Sequence, residues 1–207
     1  MTSMNPFIHY LIPPRCIFCC DFLNQAMLCE ACRAALPWNE NTSDEQLILF
    51  RYSKPIDRLI TELKFHQKLL YARFFATCFI EKIKKRRDKP LPQALIPIPL
   101  HRKRLQKRGF NQALEIAKPI AKQFQLPLLL NQIERIKNTQ PQTELLAKKR
   151  LRNVKNAFAL TKSISAKHVA ILDDVITTGH TINELARTLS DNGVEKIEIW
   201  CCAKTSS

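Results

Sequence analysis

Glycine is nearly missing from this chain, with three residues in 207. Loops that wrap a dinucleotide or a nucleoside triphosphate need clustered glycines, as in G-x-G-x-x-G and G-x-x-x-x-G-K-[ST], so that backbone amides can close on phosphates. Neither pattern occurs, and both readings fail. Long apolar runs are missing as well. No stretch approaches the roughly 18 residues that cross a bilayer. Met1–Tyr10 has no basic segment of the kind that opens a secretory signal, and its short apolar run ends at Pro13-Pro14. The expectation is a cytoplasmic protein with no membrane insertion. Acidic residues are scarce in one region above all. Residues 51–160 hold 26 Lys/Arg against 7 Asp/Glu, a net of +19, while the two flanks together come to −4.

What is present is ordinary in bulk. Hydrophobic residues make up 45% and charged residues 25%, values of a globular chain. The length suits one α/β domain with a small appendage. The focused basic field attracts phosphates, on a small anion or along a nucleic-acid backbone; a merely solubilising surface is the plain alternative.

Eight cysteines are unevenly placed. Cys16 and Cys19 form one C-x-x-C, Cys29 and Cys32 another, with nine residues between the pairs. In a cytosolic chain such pairs read as metal ligands. Four thiolates around one Zn²⁺ make a closed, structural site, and a segment this short depends on the metal for its folding energy. A redox C-x-x-C and incidental buried thiols are the other readings. Cys20 competes with Cys19 for the second position; Cys19 keeps the two-residue spacing in both pairs. Cys78, Cys201 and Cys202 sit in apolar patterns and are expected to be buried bystanders.

Hydrophobic periodicity predicts a strand at Leu47–Tyr52, a helix after Pro55 with Ile56, Leu59, Ile60 and Leu63 on one face, and a helix from Leu69 to Ile83. A short strand at Ala94–Ile98 precedes a helix over Phe110–Phe124, with Leu114, Ala117, Ala121 and Phe124 inward and a kink expected at Pro119. Leu126–Leu130 can form a strand, Asn131–Thr143 reads as polar turns, Thr143–Arg152 as a basic helix and Ala157–Leu160 as extended. His168–Leu172 is an apolar run of the kind buried on both faces. It is followed by a loop at Asp173–Gly179, a helix at Thr181–Ser190, Gly193 as a helix stop, and a strand at Lys196–Cys202. The last fifty residues thus form a β-loop-α-β unit and predict a parallel sheet.

The chemistry concentrates at Leu172-Asp-Asp-Val-Ile-Thr-Thr-Gly-His-Thr181. Ligands of open α/β sheets bind at the carboxyl ends of strands. A helix start offers unpaired amides and a positive dipole end to an anion. Thr177, Thr178 and Thr181 add hydroxyl donors, and Gly179 lets backbone approach a phosphate oxygen. Asp173 and Asp174 can accept from vicinal hydroxyls or face a Mg²⁺ through water. Together they ask for a terminal phosphate with a neighbouring diol, which a ribose 5-phosphate provides. A second block, Ile96-Pro-Ile-Pro-Leu-His-Arg-Lys-Arg-Leu-Gln-Lys-Arg-Gly-Phe-Asn-Gln112, crowds Arg102, Lys103, Arg104, Lys107 and Arg108 behind a strand. These are groups suited to a pyrophosphate or to nucleic acid.

The Asp173–Thr181 segment resembles the signature with which type I phosphoribosyltransferases bind 5-phosphoribosyl-1-pyrophosphate (PRPP), except that His180 stands where a small residue is more usual. Together with the P-x-P-L…R-G-F-N-Q stretch, the T-Q…L…R…N…A-F stretch from Thr139 to Phe158, and the N-terminal cysteines, it resembles the ComF family of competence proteins, over nearly the whole chain. The resemblance implies a zinc-binding module over residues 1–45 and, over residues 46–207, a type I phosphoribosyltransferase-like parallel sheet flanked by helices. It implies PRPP with Mg²⁺ as ligand, Asp173 and Asp174 as catalytic or ribose-orienting acids, and Thr177, Thr178, Gly179, His180 and Thr181 as the phosphate loop. It further implies a role in natural transformation, with single-stranded DNA as partner. Three readings stay open: a transferase acting on an unidentified base or amine; a single-strand-binding module with Phe65, Tyr71, Phe74 and Phe110 as candidate stacking faces; and an interaction protein docking a DNA-uptake helicase.

Overall fold

The computed structural model describes residues 14–23, 27–40, 43–86, 89–138 and 156–205. The expected helix at 143–152 and most of the T-Q…A-F stretch lie outside the described residues. Contacts divide the chain into two compact units, Met1–Pro37 and Trp38–Ser207.

In the first unit the chain turns at Cys16–Cys20, where the Cys20 amide donates to the Cys16 carbonyl (3.0 Å), and Arg15 pairs across to Phe22. A short helix, α1 (Glu30–Ala34), follows, with Cys29 as its N-cap residue.

The second unit is built on a four-stranded sheet of β1 (Gln46–Arg51), β2 (Ala94–Pro97), β5 (His168–Ile176) and β6 (Lys196–Lys204) in the order β1-β6-β5-β2, every pair parallel. β5 lies inside this sheet, which is why its run Val169-Ala-Ile-Leu172 is apolar at every position and fully buried. On one face lie α2 (Ile56–His66), α3 (Leu69–Lys85) and α5 (Gln112–Phe124). Here Phe50, Phe74 and Phe75 meet with ring centroids 5.2–6.2 Å apart, and Phe79 stacks on Trp200 at 6.3 Å. On the other, α6 (His180–Ser190) lays Ile182, Leu185 and Leu189 against Ile48, Ile96, Ile171 and Cys201. A short antiparallel pair, β3 (Ile133–Arg135) and β4 (Phe158–Leu160), contributes Ile133 and Phe158 to that same core.

Three expectations need correction. β5 does not stop at Leu172 but runs to Ile176, because β6 continues to pair with it past Asp173, so both acids stand in strand geometry rather than in a loop. Asn131–Thr143 is not turn throughout; Ile133 and Arg135 are buried in β3. The basic connection after β2 is a helix, α4 (Arg102–Arg108), capped by His101, whose Nδ1 accepts from the Lys103 amide at 3.2 Å. α5 begins at Gln112, continues through Pro119, and turns Ala113, Ile116, Ala117, Ile120 and Ala121 inward. Leu114 and Phe124 are only half-buried, since the apolar stripe is shifted by one residue. Leu126–Leu130 makes a single parallel bridge, Leu128 with Leu95. Cys78, Cys201 and Cys202 are buried, as expected.

Candidate functional site

Alternation along a strand sends neighbouring side chains to opposite faces. Ala170 and Leu172 therefore share a face with Asp174, and Val169 and Ile171 share the other with Asp173. The two carboxylates at the carboxyl end of β5 diverge into the two layers of the domain.

Asp174 is buried at 4% exposure, and Lys64 of α2 reaches it with Nζ 2.9 Å from Oδ2. That contact is an ion pair without the alignment of a hydrogen bond, and among the described residues Oδ2 has no aligned donor. Burial works against charge on Lys64. The Asp174 carboxylate, and behind it Asp173, outweigh this and hold the ammonium above its ordinary pKa. Glu198 is the informative contrast. Also buried, at the other end of the sheet, it accepts from Arg86 Nη1 and Trp200 Nε1 (3.0 Å each) and lies 3.0 Å from His168 Nε2. Glu198 is satisfied by the fold; Asp174 retains acceptor capacity at a strand end where a ligand can use it.

Asp173 is partly exposed, yet protein crowds its carboxyl. Burial first, then the adjacent Asp174 charge, push its pKa up to about 7, against the pull of Lys64 and Arg135. Arg135 of β3 is buried, and its guanidinium lies 5.6 Å over the Phe158 ring. Its pKa is lowered by burial and by Arg104, partly restored by Asp173. The end of β5 is thus bracketed by cations: Lys64 on one side, Arg135 on the other, with Arg104 and Arg108 near enough to be felt.

The residues expected to form a phosphate loop follow directly. Thr177 and Thr178 are exposed. Gly179 is the N-cap of α6 at φ +73°, a left-handed backbone that favours glycine, and α6 has no side-chain cap at this end. The first amides of α6 are left for an incoming acceptor. His180 and Thr181 open the helix and are half-buried.

The five predicted basic residues do not act as one group. Arg104 and Arg108, four apart on α4, are half-buried, and Arg104 is lowered by burial and by Arg108. Arg108 donates to Gln112 Oε1 (2.6 Å) and lies 5.6 Å from the centre of the Phe65 ring. Arg102 pairs with Glu134 at 2.9 Å, and Lys103 and Lys107 are exposed. The R-G-F-N-Q stretch is a connector. Gly109 ends α4 at φ +81°, and Asn111 caps α5 while donating from Nδ2 to the Ile98 carbonyl (3.0 Å), tying the helix to the end of β2. Between α4, the start of α5 and β3 opens a cleft of about 690 Å³, walled by Leu105, Phe110, Leu114 and Leu129 and reached by Arg135 and Glu134. It begins at Pro97, whose register partner is Leu172, one residue before Asp173. Of the aromatic candidates for stacking, Phe74 is core, Tyr71 and Phe110 are half-buried, and Phe65 is 68% exposed.

Sequence reasoning missed Lys64 and Arg135. Lys64 left a trace: it stands four residues after Ile60 and beside Leu63, on the stripe of α2 that should be apolar. Arg135 opens the stretch that leads into Thr139, but its segment is too short for periodicity to assign it a place.

In the first unit, Cys16, Cys19, Cys29 and Cys32 bring their sulfurs within 4.8 Å of one another, with Cys19 and Cys29 at 3.6 Å. Tetrahedral Zn–S bonds of about 2.3 Å require S···S separations near ~3.8 Å, so these four could hold one metal ion after a small contraction. The Cys32 amide donates to Cys29 Sγ at 3.4 Å. Burial pushes the Cys16 thiol up, but the amides of Cys19, Cys29 and Phe18 outweigh it and bring its pKa down to about 6, toward the thiolate a metal needs. Cys20 is exposed and lies outside the cluster.

Comparison with known proteins adds the following. Residues 111–207 match a phosphoribosyl transferase domain. Competence protein F of Haemophilus influenzae is 36% identical over 171 residues, covering 80% of this chain and 75% of that protein. The DNA utilization protein YhgH of Salmonella typhi is 34% identical over 74% of this chain and 69% of its own length. Competence protein ComFC of Streptococcus pneumoniae is 24% identical over 87% and 78%. Among solved structures, a xanthine-guanine-hypoxanthine phosphoribosyltransferase from Helicobacter pylori covers 78% of this chain and 88% of its own at a TM-score of 0.38 and 10% identity, too slight a likeness to carry detail.

Proposed function

The chain belongs to the ComF family of competence proteins, with a phosphoribosyltransferase domain, and from that premise we propose that it binds PRPP at the carboxyl end of β5 and serves the handling of incoming single-stranded DNA in the cytoplasm. One observation carries the ligand: Asp174, whose buried Oδ2 has no aligned donor among the described residues, stands beside Asp173 and five residues before Gly179, the N-cap of a helix with no side-chain cap. Asp173 and Asp174 accept from the 2- and 3-hydroxyls of the pentose. The amides from Gly179 onward and the hydroxyls of Thr177, Thr178 and Thr181 take the 5-phosphate. Arg104 and Arg108 face the pyrophosphate end, where guanidinium forks match its oxygens. Mg²⁺, carried with the pyrophosphate, neutralises part of its charge. One zinc ion, held by Cys16, Cys19, Cys29 and Cys32, supplies folding energy to the N-terminal unit and takes no part in chemistry.

Single-stranded DNA is supported by the +19 charge of residues 51–160 and by the exposure of Lys103, Lys107 and the Phe65 ring, which together offer backbone contacts and a stacking face. No described helix is long and apolar enough to cross a membrane.

The cleft beside Pro97 favours a second reading, transfer of ribose 5-phosphate to a base or amine. In that reaction the C1–O bond breaks with its electron pair leaving on pyrophosphate, an acceptor nitrogen bonds to C1, and the nitrogen loses its proton. Equilibrium dialysis with labelled PRPP and Mg²⁺ tests the ligand. Retention that unlabelled ribose 5-phosphate displaces is expected, and none at millimolar protein would end the proposal. Pyrophosphate release across a panel of bases and amines separates the transferase reading from binding alone.

A further inference from the structure

Lys64 has no counterpart in the phosphate chemistry just described. It lies on the packed stripe of α2, its side chain is 22% exposed, and its ammonium is spent on a carboxylate that the ligand itself should need. Both Asp174 and Asp173 act on it favourably, and Arg108 acts against it. Asp174 is therefore already paired within the protein, with the Lys64 ammonium 2.9 Å from its Oδ2. A free divalent ion entering here meets an ammonium at ion-pair distance from the oxygen it would approach. Mg²⁺ gives up its water reluctantly and seeks carboxylates that are not already compensated.

We propose that Lys64 is a resident counter-ion of the Asp173–Asp174 pair: it holds Asp174 ready to accept pentose hydroxyls and keeps bare divalent cations from settling at the strand end. Metal then enters only on the pyrophosphate of an arriving ligand. This deepens the PRPP reading and rests on it for the identity of that ligand. Lys64 is a positioning residue; it works through Asp174.

Thermal melting with and without millimolar Mg²⁺, and no PRPP, tests it. Wild type should melt at the same temperature in both. Lys64→Met should melt lower, because its partner is left buried and uncompensated, and Mg²⁺ should raise its midpoint by about 3–5 °C as the ion takes the vacated place. Should Lys64→Met not fold without metal, Mg²⁺ must restore a cooperative transition. The double variant Lys64→Met/Asp174→Asn should be indifferent to Mg²⁺, and Lys64→Arg should behave as wild type. A wild type stabilised by Mg²⁺, a Lys64→Met protein that Mg²⁺ does not help, or a double variant that keeps the effect each overturns the proposal. The outcome does not depend on PRPP. A positive result with no retention of labelled PRPP in dialysis would leave the counter-ion standing and remove the ligand assignment; a negative result with PRPP retained would do the reverse.

Discussion

At the scale of single residues, two adjacent carboxylates stand in unlike settings at the end of β5. Asp173 has a pKa of about 7 in the folded chain against an ordinary 3.8, raised by burial and by Asp174. Between those values the folded chain holds a proton that the unfolded chain has released. This group therefore makes stability fall as pH rises from about 4 to 7, and the loss is complete above the folded pKa. Asp173→Asn should flatten that part of a denaturation-against-pH profile. The same titration governs binding: if hydroxyls need the carboxylate, PRPP affinity should weaken by up to about tenfold per pH unit below 7 and level off above it, measured by dialysis at a series of pH values. Asp174→Ala should weaken PRPP binding and also lower stability. It strands Lys64 in a largely buried position, at a cost of roughly 3 kcal/mol in urea unfolding. The Asp-Asp…Thr-Thr-Gly pattern was legible because a buried strand, two acids and an uncapped helix start are all local. Arg135 was not, since what places it beside Asp173 is the packing of β3 and β4 against the sheet.

Among the elements, helices with clean stripes were read nearly to the residue: α2 from Ile56, Leu59, Ile60 and Leu63, and α6 from Ile182, Leu185 and Leu189. Errors fell where two principles compete. The apolar run of β5 stops at Leu172, but pairing with β6 carries the ladder on through both acids to Ile176. α4 has no signature in the periodicity, because seven mostly charged residues have no apolar stripe to show. Asn111 illustrates what an element boundary does for the site. It caps α5 and holds the Ile98 carbonyl, fixing the end of β2 against the helix that carries Gln112. Asn111→Ala should lower stability by about 1 kcal/mol in chemical denaturation, the ordinary worth of a cap. In the N-terminal unit, spacing alone selected the four cysteines whose sulfurs the fold gathers and left out Cys20. Metal analysis of the purified chain should return one zinc per molecule, reduced by Cys29→Ser; a metal-free protein with native circular dichroism would refute the zinc assignment.

For the molecule as a whole, composition located the basic field but not its division of labour. The fold half-buries Arg104 and Arg108 on α4 and leaves Lys103 and Lys107 to solvent. A single strand that follows the outer residues should bind with affinity falling steeply with salt, about 0.7 logarithmic units per tenfold salt for each neutralised phosphate, and Lys103→Glu/Lys107→Glu should make that slope shallower. PRPP binding should survive the same double change, because Arg104 and Arg108, the residues proposed for the pyrophosphate, are untouched. The most direct test of the central claim is calorimetry of PRPP with Mg²⁺ against wild type and Thr178→Glu. Thr178 is exposed, so a carboxylate there leaves the fold intact while repelling a phosphate at the start of α6. The expected result is one-site binding to wild type and at least a tenfold loss in the variant at an unchanged melting temperature. Equal affinity for both proteins would contradict the placement of the phosphate at that helix.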